Sequence, residues 1–125
     1  MAEEVIRPLR WIGSSRKDIR AFPKRVREDV GYSLWEAQQG HKAPNAKPLK
    51  GFHGADVVEI VEDFDGDTYR AVYTVRIREA VYVLHVFQKK AKSGIKTPQP
   101  DLDTIRRRLG MAEEDAARLR QTEKK

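Results

Sequence analysis

The sequence predicts an α+β domain: two short helices, then an antiparallel sheet, then a closing helix. Three observations predict it. Apolar residues recur at helical spacing between residues 15 and 40, they form strand-length runs between residues 56 and 89, and an Asp-Gly pair splits those runs. The order read is β-α-α-β-β-β-α, an antiparallel sheet with the helices packed on one face and the other face left open.

Each element has its own signal. Residues 5–12 (VIRPLRWI) read as a short strand, and Pro8 suits an edge position. Ser15 followed by Asp18 resembles an N-terminal cap, after which Ile19 and Phe22 share a helical face. Pro23 opens a second helix, in which Val26, Val30, Leu34 and Ala37 recur at helical spacing until Gly40. Gly31 inside that helix costs about 1 kcal/mol relative to Ala, which packing must offset. Residues 41–55 (HKAPNAKPLKGFHGA) read as a loop. Strands at about 56–63 and 68–77 flank Asp65-Gly66, a hairpin signal. A turn near Arg78-Glu79 leads into AVYVLHVFQ, the most strand-like stretch. Leu102, Ile105 and Leu109 fit one short helical face that Gly110 stops. Residues 1–110 are thus expected to form a single domain, and residues 111–125 a charged C-terminal tail or frayed helix.

Composition narrows the function. The chain has 125 residues, 39% hydrophobic and 35% charged, which suits one modest core under an ionic surface. It has no Cys, which excludes a disulfide scaffold, thiol catalysis and Cys-ligated zinc. The longest apolar run, around Val81–Phe87, has strand length rather than the ~20 residues of a membrane span. The opening MAEEVIRPLRW lacks a signal peptide's apolar core, so a cytoplasmic protein with no membrane partner is expected.

The formal net charge is +6, and it is concentrated. Between residues 70 and 100 stand Arg70, Arg76, Arg78, Lys89, Lys90, Lys92 and Lys96 against the single acid Glu79, whereas residues 56–67 are acidic without a base. Such a segment suits a polyanion, of which nucleic acid is the commonest in cytoplasm; a solvated basic face is the plainer alternative. Strand alternation places Ala71, Tyr73, Val75 and Ile77 toward the core, with Arg70, Thr74 and Arg76 facing away. In the last strand Tyr82, Leu84 and Val86 read as core-facing, leaving His85, Phe87 and Lys89 on the side of Arg70. Arginine, histidine, an aromatic and lysine on one sheet face are the makings of an RNA-binding surface.

Other signals fail their spacing tests. Asp63, Asp65 and Asp67 alternate, but an EF-hand loop needs Gly at its sixth position and Glu at its twelfth, and neither is there. His41, His53 and His85 are scattered with no Cys nearby, so no metal is expected. Gly51-Phe52-His53-Gly54 matches the spacing of a KH-domain loop, but that loop must join two helices. No nucleotide-binding glycine loop or serine-nucleophile motif is present, so no cofactor is expected either.

The elements FPKRVREDVGYSLWEAQQG, KPLKGF, VVEI, TYRAVYTV and VYVLHVFQKKAKSGIKTP together resemble the RelE/ParE toxin superfamily, and most of all its HigB-like, phage-derived branch. The resemblance runs from about Pro8 to Leu109. Its specific part is Leu84-His85-Val86-Phe87-Gln88-Lys89-Lys90 followed by Thr97-Pro98. It implies a small RelE-like fold and the toxin of a type II toxin–antitoxin module, an endoribonuclease that cuts messenger RNA on the ribosome and is silenced by a helix-turn-helix antitoxin. Its partners would be mRNA, the ribosome and that antitoxin.

Such chemistry needs no metal. The RNA 2′-oxygen attacks the adjacent phosphate, a base takes the 2′ proton, cations stabilise the added charge, and an acid protonates the leaving oxygen. On this reading Arg70 holds the phosphate with its planar fork, His85 is the side-chain type suited to proton transfer, and Lys89 and Lys90 grip the backbone or serve as acid or base. Phe87 stacks on an unpaired base, and Lys50, Arg76, Lys92 and Lys96 add RNA contacts. Pairing of Arg70 with Glu59 on the neighbouring strand is the competing assignment. One position departs from the family pattern. Many relatives read WELR on the second strand, and here Val58, Glu59, Ile60 and Val61 align with it, so the arginine is absent and Arg76 or Lys50 would have to replace it. Two rival functions follow: a non-cleaving RNA- or antitoxin-binding homologue, and a ParE-like gyrase inhibitor.

Overall fold

The computed structural model describes residues 5–52, 56–89 and 96–123. Its elements are β1 (Leu9–Trp11), α1 (Ser15–Ile19), α2 (Lys24–Gln38), β2 (Ala46–Pro48), β3 (Val57–Phe64), β4 (Asp67–Thr74), β5 (Val81–Lys89) and α3 (Gln99–Glu123). The strands form one sheet in the order β1-β5-β4-β3-β2, antiparallel except where β1 lies parallel to β5. The α+β class and the element order follow the sequence expectation, with β2 added as a three-residue edge strand inside the segment read as a loop.

The β3–β4 hairpin closes as its Asp-Gly pair demands. Phe64 pairs with Asp67, and Asp65 and Gly66 between them take φ of 51° and 86°. Two consecutive positive φ values make the tight turn that matches strand twist, and Asp and Gly tolerate them best.

The helices do not share one face, which corrects the expected arrangement. α2 lays Val26, Val30, Leu34 and Ala37 against Ile60, Ala71, Tyr73, Val81 and Val83. α3 lays Ile105, Ala112 and Ala116 against Leu49, Val57, Val72, Tyr82 and Leu84 on the opposite face. The physical reason is that both faces of β4 and β5 are apolar, so an open second face would expose Val72, Tyr82 and Leu84, all now fully buried. A bulge shifts the alternation as well. Val72 pairs with His85 but Tyr73 with Val83, leaving Leu84 opposite no residue. Tyr82 and Leu84 therefore turn toward α3, not toward α2 as strict alternation requires, while Val86 returns to the α2 side.

α3 is one continuous helix past Gly110, in place of the expected stop and frayed tail. Ala112 and Ala116 extend the stripe begun by Ile105, and Asp115 accepts hydrogen bonds from Arg10 Nε at 2.6 Å and the Tyr82 hydroxyl at 2.6 Å. Gly31 also departs from expectation, since a Cβ there would meet nothing within 4 Å. Among the described residues no close packing at Gly31 offsets its cost to the helix. No helix among the described residues is long and apolar enough to cross a membrane.

Candidate functional site

The register of β4 and β5 brings the expected side chains together. Arg70 pairs with Phe87, Val72 with His85 and Thr68 with Lys89, so Arg70, His85, Phe87 and Lys89 do share a sheet face. That face is the one under α3. Arg70 is 3% exposed and donates from Nη1 to Glu59 Oε2 at 3.2 Å and to Thr97 Oγ1 at 3.4 Å. The ion pair with Glu59, the competing assignment, is therefore formed. It links β4 to β3 and, through Thr97, to the start of α3.

His85 is engaged at both ring nitrogens. Arg108 Nη1 lies 3.3 Å from Nδ1, and Asp101 Oδ1 lies 2.7 Å from Nε2. A guanidinium only donates, so Nδ1 accepts and the ring proton sits on Nε2, where it is donated to Asp101. The bulge helps to build this contact. Arg108 Nη1 also donates to the Leu84 carbonyl at 3.1 Å, and Nη2 to Ser14 Oγ at 3.1 Å. Gly13, with φ of 60°, leaves the space, since a Cβ there would come within 2.6 Å of the Arg108 guanidinium. Burial pushes the Arg108 guanidinium below its ordinary pKa. The sequence reading missed Asp101 and Arg108. Their signal was present, because residues 101, 105, 108 and 112 lie on one helical stripe. Phe87 stacks on the His85 ring, with centroids 4.9 Å apart and planes at 22°, and not on open solvent. The open RNA face expected from alternation is thus a covered one, with Arg70 and His85 built into the packing between sheet and helix.

Cations reach the surface at the edge of this covered face. Lys89, at the end of β5, donates from Nζ to the carbonyl of Lys96 at 3.2 Å. That bond sets the last strand beside the residues that lead into α3, with Lys96 exposed and Thr97 against Arg70. Lys90 and Lys92 lie outside the described residues. Lys50 and Arg76 are exposed but sit at the other end of the sheet, where Leu49 bonds to Val57 and β4 ends at Thr74. Six strand residues, roughly 20 Å, separate that end from Lys89. The two groups do not form one patch. Position 61, where the family resemblance leads to the expectation of an arginine, is Val61, directly opposite Arg70.

A clasp holds the far half of α3. Besides its bonds from Arg10 and Tyr82, Asp115 lies 3.5 Å from Arg118 Nη2. Burial acts to raise the Asp115 carboxyl, but the hydrogen bonds from Tyr82 and Arg10 and the charges of Arg10 and Arg118 outweigh it and hold it below its ordinary value. Burial, followed by the bond to Asp115, pushes the Tyr82 hydroxyl well above its ordinary value.

Comparison with known proteins supplies the family. Residues 17–110 match the family described as Phage derived protein Gp49-like (DUF891). No curated protein matches the chain. Among solved structures, a chain of the toxin–antitoxin complex RelBE2 from Mycobacterium tuberculosis is similar, at 22% identity and a TM-score of 0.44, over 72% of this chain and 99% of that one. With the matched segment running from α1 to the middle of α3, the chain belongs to the Gp49-like phage-derived family of RelE/HigB-type toxins, the toxin halves of toxin–antitoxin modules.

Proposed function

We propose that this toxin is a metal-independent endoribonuclease that cuts messenger RNA on the ribosome in the cytoplasm, and that a helix-turn-helix antitoxin silences it. The observation that supports the reading is the junction of Lys89 and Lys96, two lysines of the basic segment set at the edge of the face shared by Arg70, His85 and Phe87. In the step proposed, the RNA 2′-oxygen forms a bond to the adjacent phosphorus and the bond to the 5′-oxygen breaks. The products are a cyclic phosphate and a 5′-hydroxyl, the 2′ proton leaving to a base and the 5′-oxygen receiving one. Lys89 and Lys96, with Lys90 and Lys92 of the same segment, contact the phosphate as its charge grows. Arg70 and His85 act as positioning residues. Arg70 fixes Thr97 beside Lys96, and His85 fixes Asp101 in the first turn of α3.

The test maps new RNA 5′ ends after brief induction of the wild-type chain and of Lys89→Ala/Lys96→Ala. New ends inside translated frames, reduced at least tenfold in the variant, are expected. Growth arrest without new ends overturns cleavage. A second reading has its own support: Val61 stands opposite Arg70 where the family resemblance leads to the expectation of an arginine, so a homologue that binds RNA without cutting it is the alternative. Salt-sensitive RNA affinity with neither new ends nor growth arrest would select it.

A further inference from the structure

The α2 side of the sheet holds a cavity for which RNA cleavage has no use. Its volume is about 400 Å³, and it lies between the C-terminal end of α2 and the strands β2, β3 and β4. Pockets that hold small molecules span about 300–1,000 Å³. Ala37, Ala46, Val58 and Val75 give this one apolar walls, all four packed in the cluster beneath α2. Arg70, His85 and Phe87 share the other face, under α3.

Two polar groups of the lining lack the partners that their burial calls for. Tyr73 is 2% exposed, yet its hydroxyl makes no hydrogen bond among the described residues. Burial alone pushes that hydroxyl up to about 12, so it remains protonated and able to donate. Its oxygen is not closed off from solvent, and the cavity that Tyr73 lines is where an acceptor reaches it.

Arg7 is the second. Its half-buried guanidinium donates from Nη1 to the carbonyls of Val75 at 2.7 Å and Ile77 at 3.0 Å, and from Nη2 to that of Ala37 at 3.2 Å. Carbonyls fix its place without neutralising it, and no carboxylate among the described residues pairs with it. Burial lowers its pKa, as happens to a cation that loses water and gains no counter-charge. Of the donors a guanidinium carries, one on Nε and one on Nη2 remain to be used. Val75, which Arg7 grips, is two residues beyond Tyr73 and packs on the same side, so the two groups stand together.

This pairing selects a ligand class. A neutral guest leaves the charge of Arg7 unmet, and a phosphate monoester brings two charges and a tight water shell to one cation in an apolar cavity. A carboxylate brings one charge, and its two oxygens accept bonds from Arg7 and from Tyr73. The exposed Lys42 and Asp56 of the lining offset each other, and His41 beside them lies 3.3 Å from Glu36, so Arg7 sets the sign within.

We propose that the cavity binds a small monocarboxylate with a branched aliphatic or single-ring aromatic body, its carboxylate on Arg7 and the Tyr73 hydroxyl and its hydrocarbon against Ala46, Val58 and Val75. The site is separate from the Lys89–Lys96 edge and does not depend on cleavage there.

The experiment titrates the full chain with phenylacetate and isovalerate, and with phenylacetamide as the uncharged match, by calorimetry and by melting. At least one acid is expected to bind with a dissociation constant on the order of 1 mM or below and to raise the melting temperature with concentration. Phenylacetamide should bind at least tenfold more weakly. Tyr73→Phe should weaken the acid at least threefold while the free chain melts no lower than wild type, because an unpartnered hydroxyl has no bond to lose. Val58→Phe, which fills the cavity, should abolish binding and keep a cooperative melt. No binding of either acid overturns the proposal, as does binding that Tyr73→Phe and Val58→Phe leave unchanged. Equal affinity for phenylacetamide removes the part given to Arg7 and overturns the carboxylate class. If the free Tyr73→Phe chain melts several degrees lower, the hydroxyl is already bonded within the chain and the proposal falls.

Discussion

Arg70 has two properties that pull in different directions, a guanidinium suited to phosphate and a site almost sealed from solvent. With side-chain exposures of 4% and 8%, the Arg70–Glu59 pair belongs to the interior. Removing one member leaves the other's charge buried and uncompensated, a loss of about 3–5 kcal/mol, whereas replacing both with apolar residues of similar size is close to neutral. We therefore expect Arg70→Met and Glu59→Leu each to lower the denaturant midpoint strongly, and the double variant to recover most of the loss. Equal additive losses would show that the two act separately. A drop in toxicity in Arg70→Ala alone would consequently reflect folding as much as chemistry, which is why the cleavage test relies on Lys89 and Lys96. At this scale the sequence disclosed which residues share a face, because Arg70, His85 and Phe87 follow alternation. It hid their surroundings, because Asp101 and Arg108 reach them from a helix whose docking face no local pattern states, and Thr97 from the residues just before it.

Among the elements, α3 was the least legible. Gly110 looks like a helix stop because glycine commonly follows a helix end, yet Ala112 and Ala116 carry the apolar stripe onward and Asp115 anchors it. The stripe showed that the helix has a buried side. It could not show which sheet face receives it, and the bulge at Leu84 broke the period-two rule that would have told. β2 was invisible for a simpler reason: Ala46-Lys47-Pro48 has neither length nor alternation, and pairing with β3 alone makes it a strand. The clasp makes the docking of α3 sensitive to acid. Because the folded Asp115 carboxyl lies below its unfolded value, its contribution is whole above the ordinary Asp range near pH 4 and is lost as pH falls through the folded value. Asp115→Asn should destabilise the chain at neutral pH, and the gap from wild type should narrow between about pH 5 and pH 3 in parallel melts. A gap constant with pH would remove Asp115 from that role.

On the scale of the whole molecule, charge and packing are divided by the sheet. The excess of the +6 lies within residues 70–100, and α3 covers the face from which that segment emerges. RNA bound at the Lys89–Lys96 edge releases counterions in proportion to the phosphates neutralised, with a slope near −0.7 per contact for a single strand. Lys89→Ala and Lys96→Ala should each reduce the slope of log affinity against log salt by about that amount, while Lys50→Ala should change it less if the sheet ends act separately. A slope unmoved by the first two would place RNA elsewhere on the surface.

The parallel pairing of β1 with β5 also sets a timetable for the chain. Arg10 emerges early in synthesis and meets Asp115 only 105 residues later, roughly 5–20 s at ordinary elongation rates. During that interval the β3–β4 hairpin can form from local contacts, but β1 has no strand partner until β5 is made, and Tyr82 has no cover until α3 follows. A growing chain thus shows its interior at the ribosome before it becomes a finished protein. Whatever is to restrain a newly made copy has those seconds in which to be already waiting.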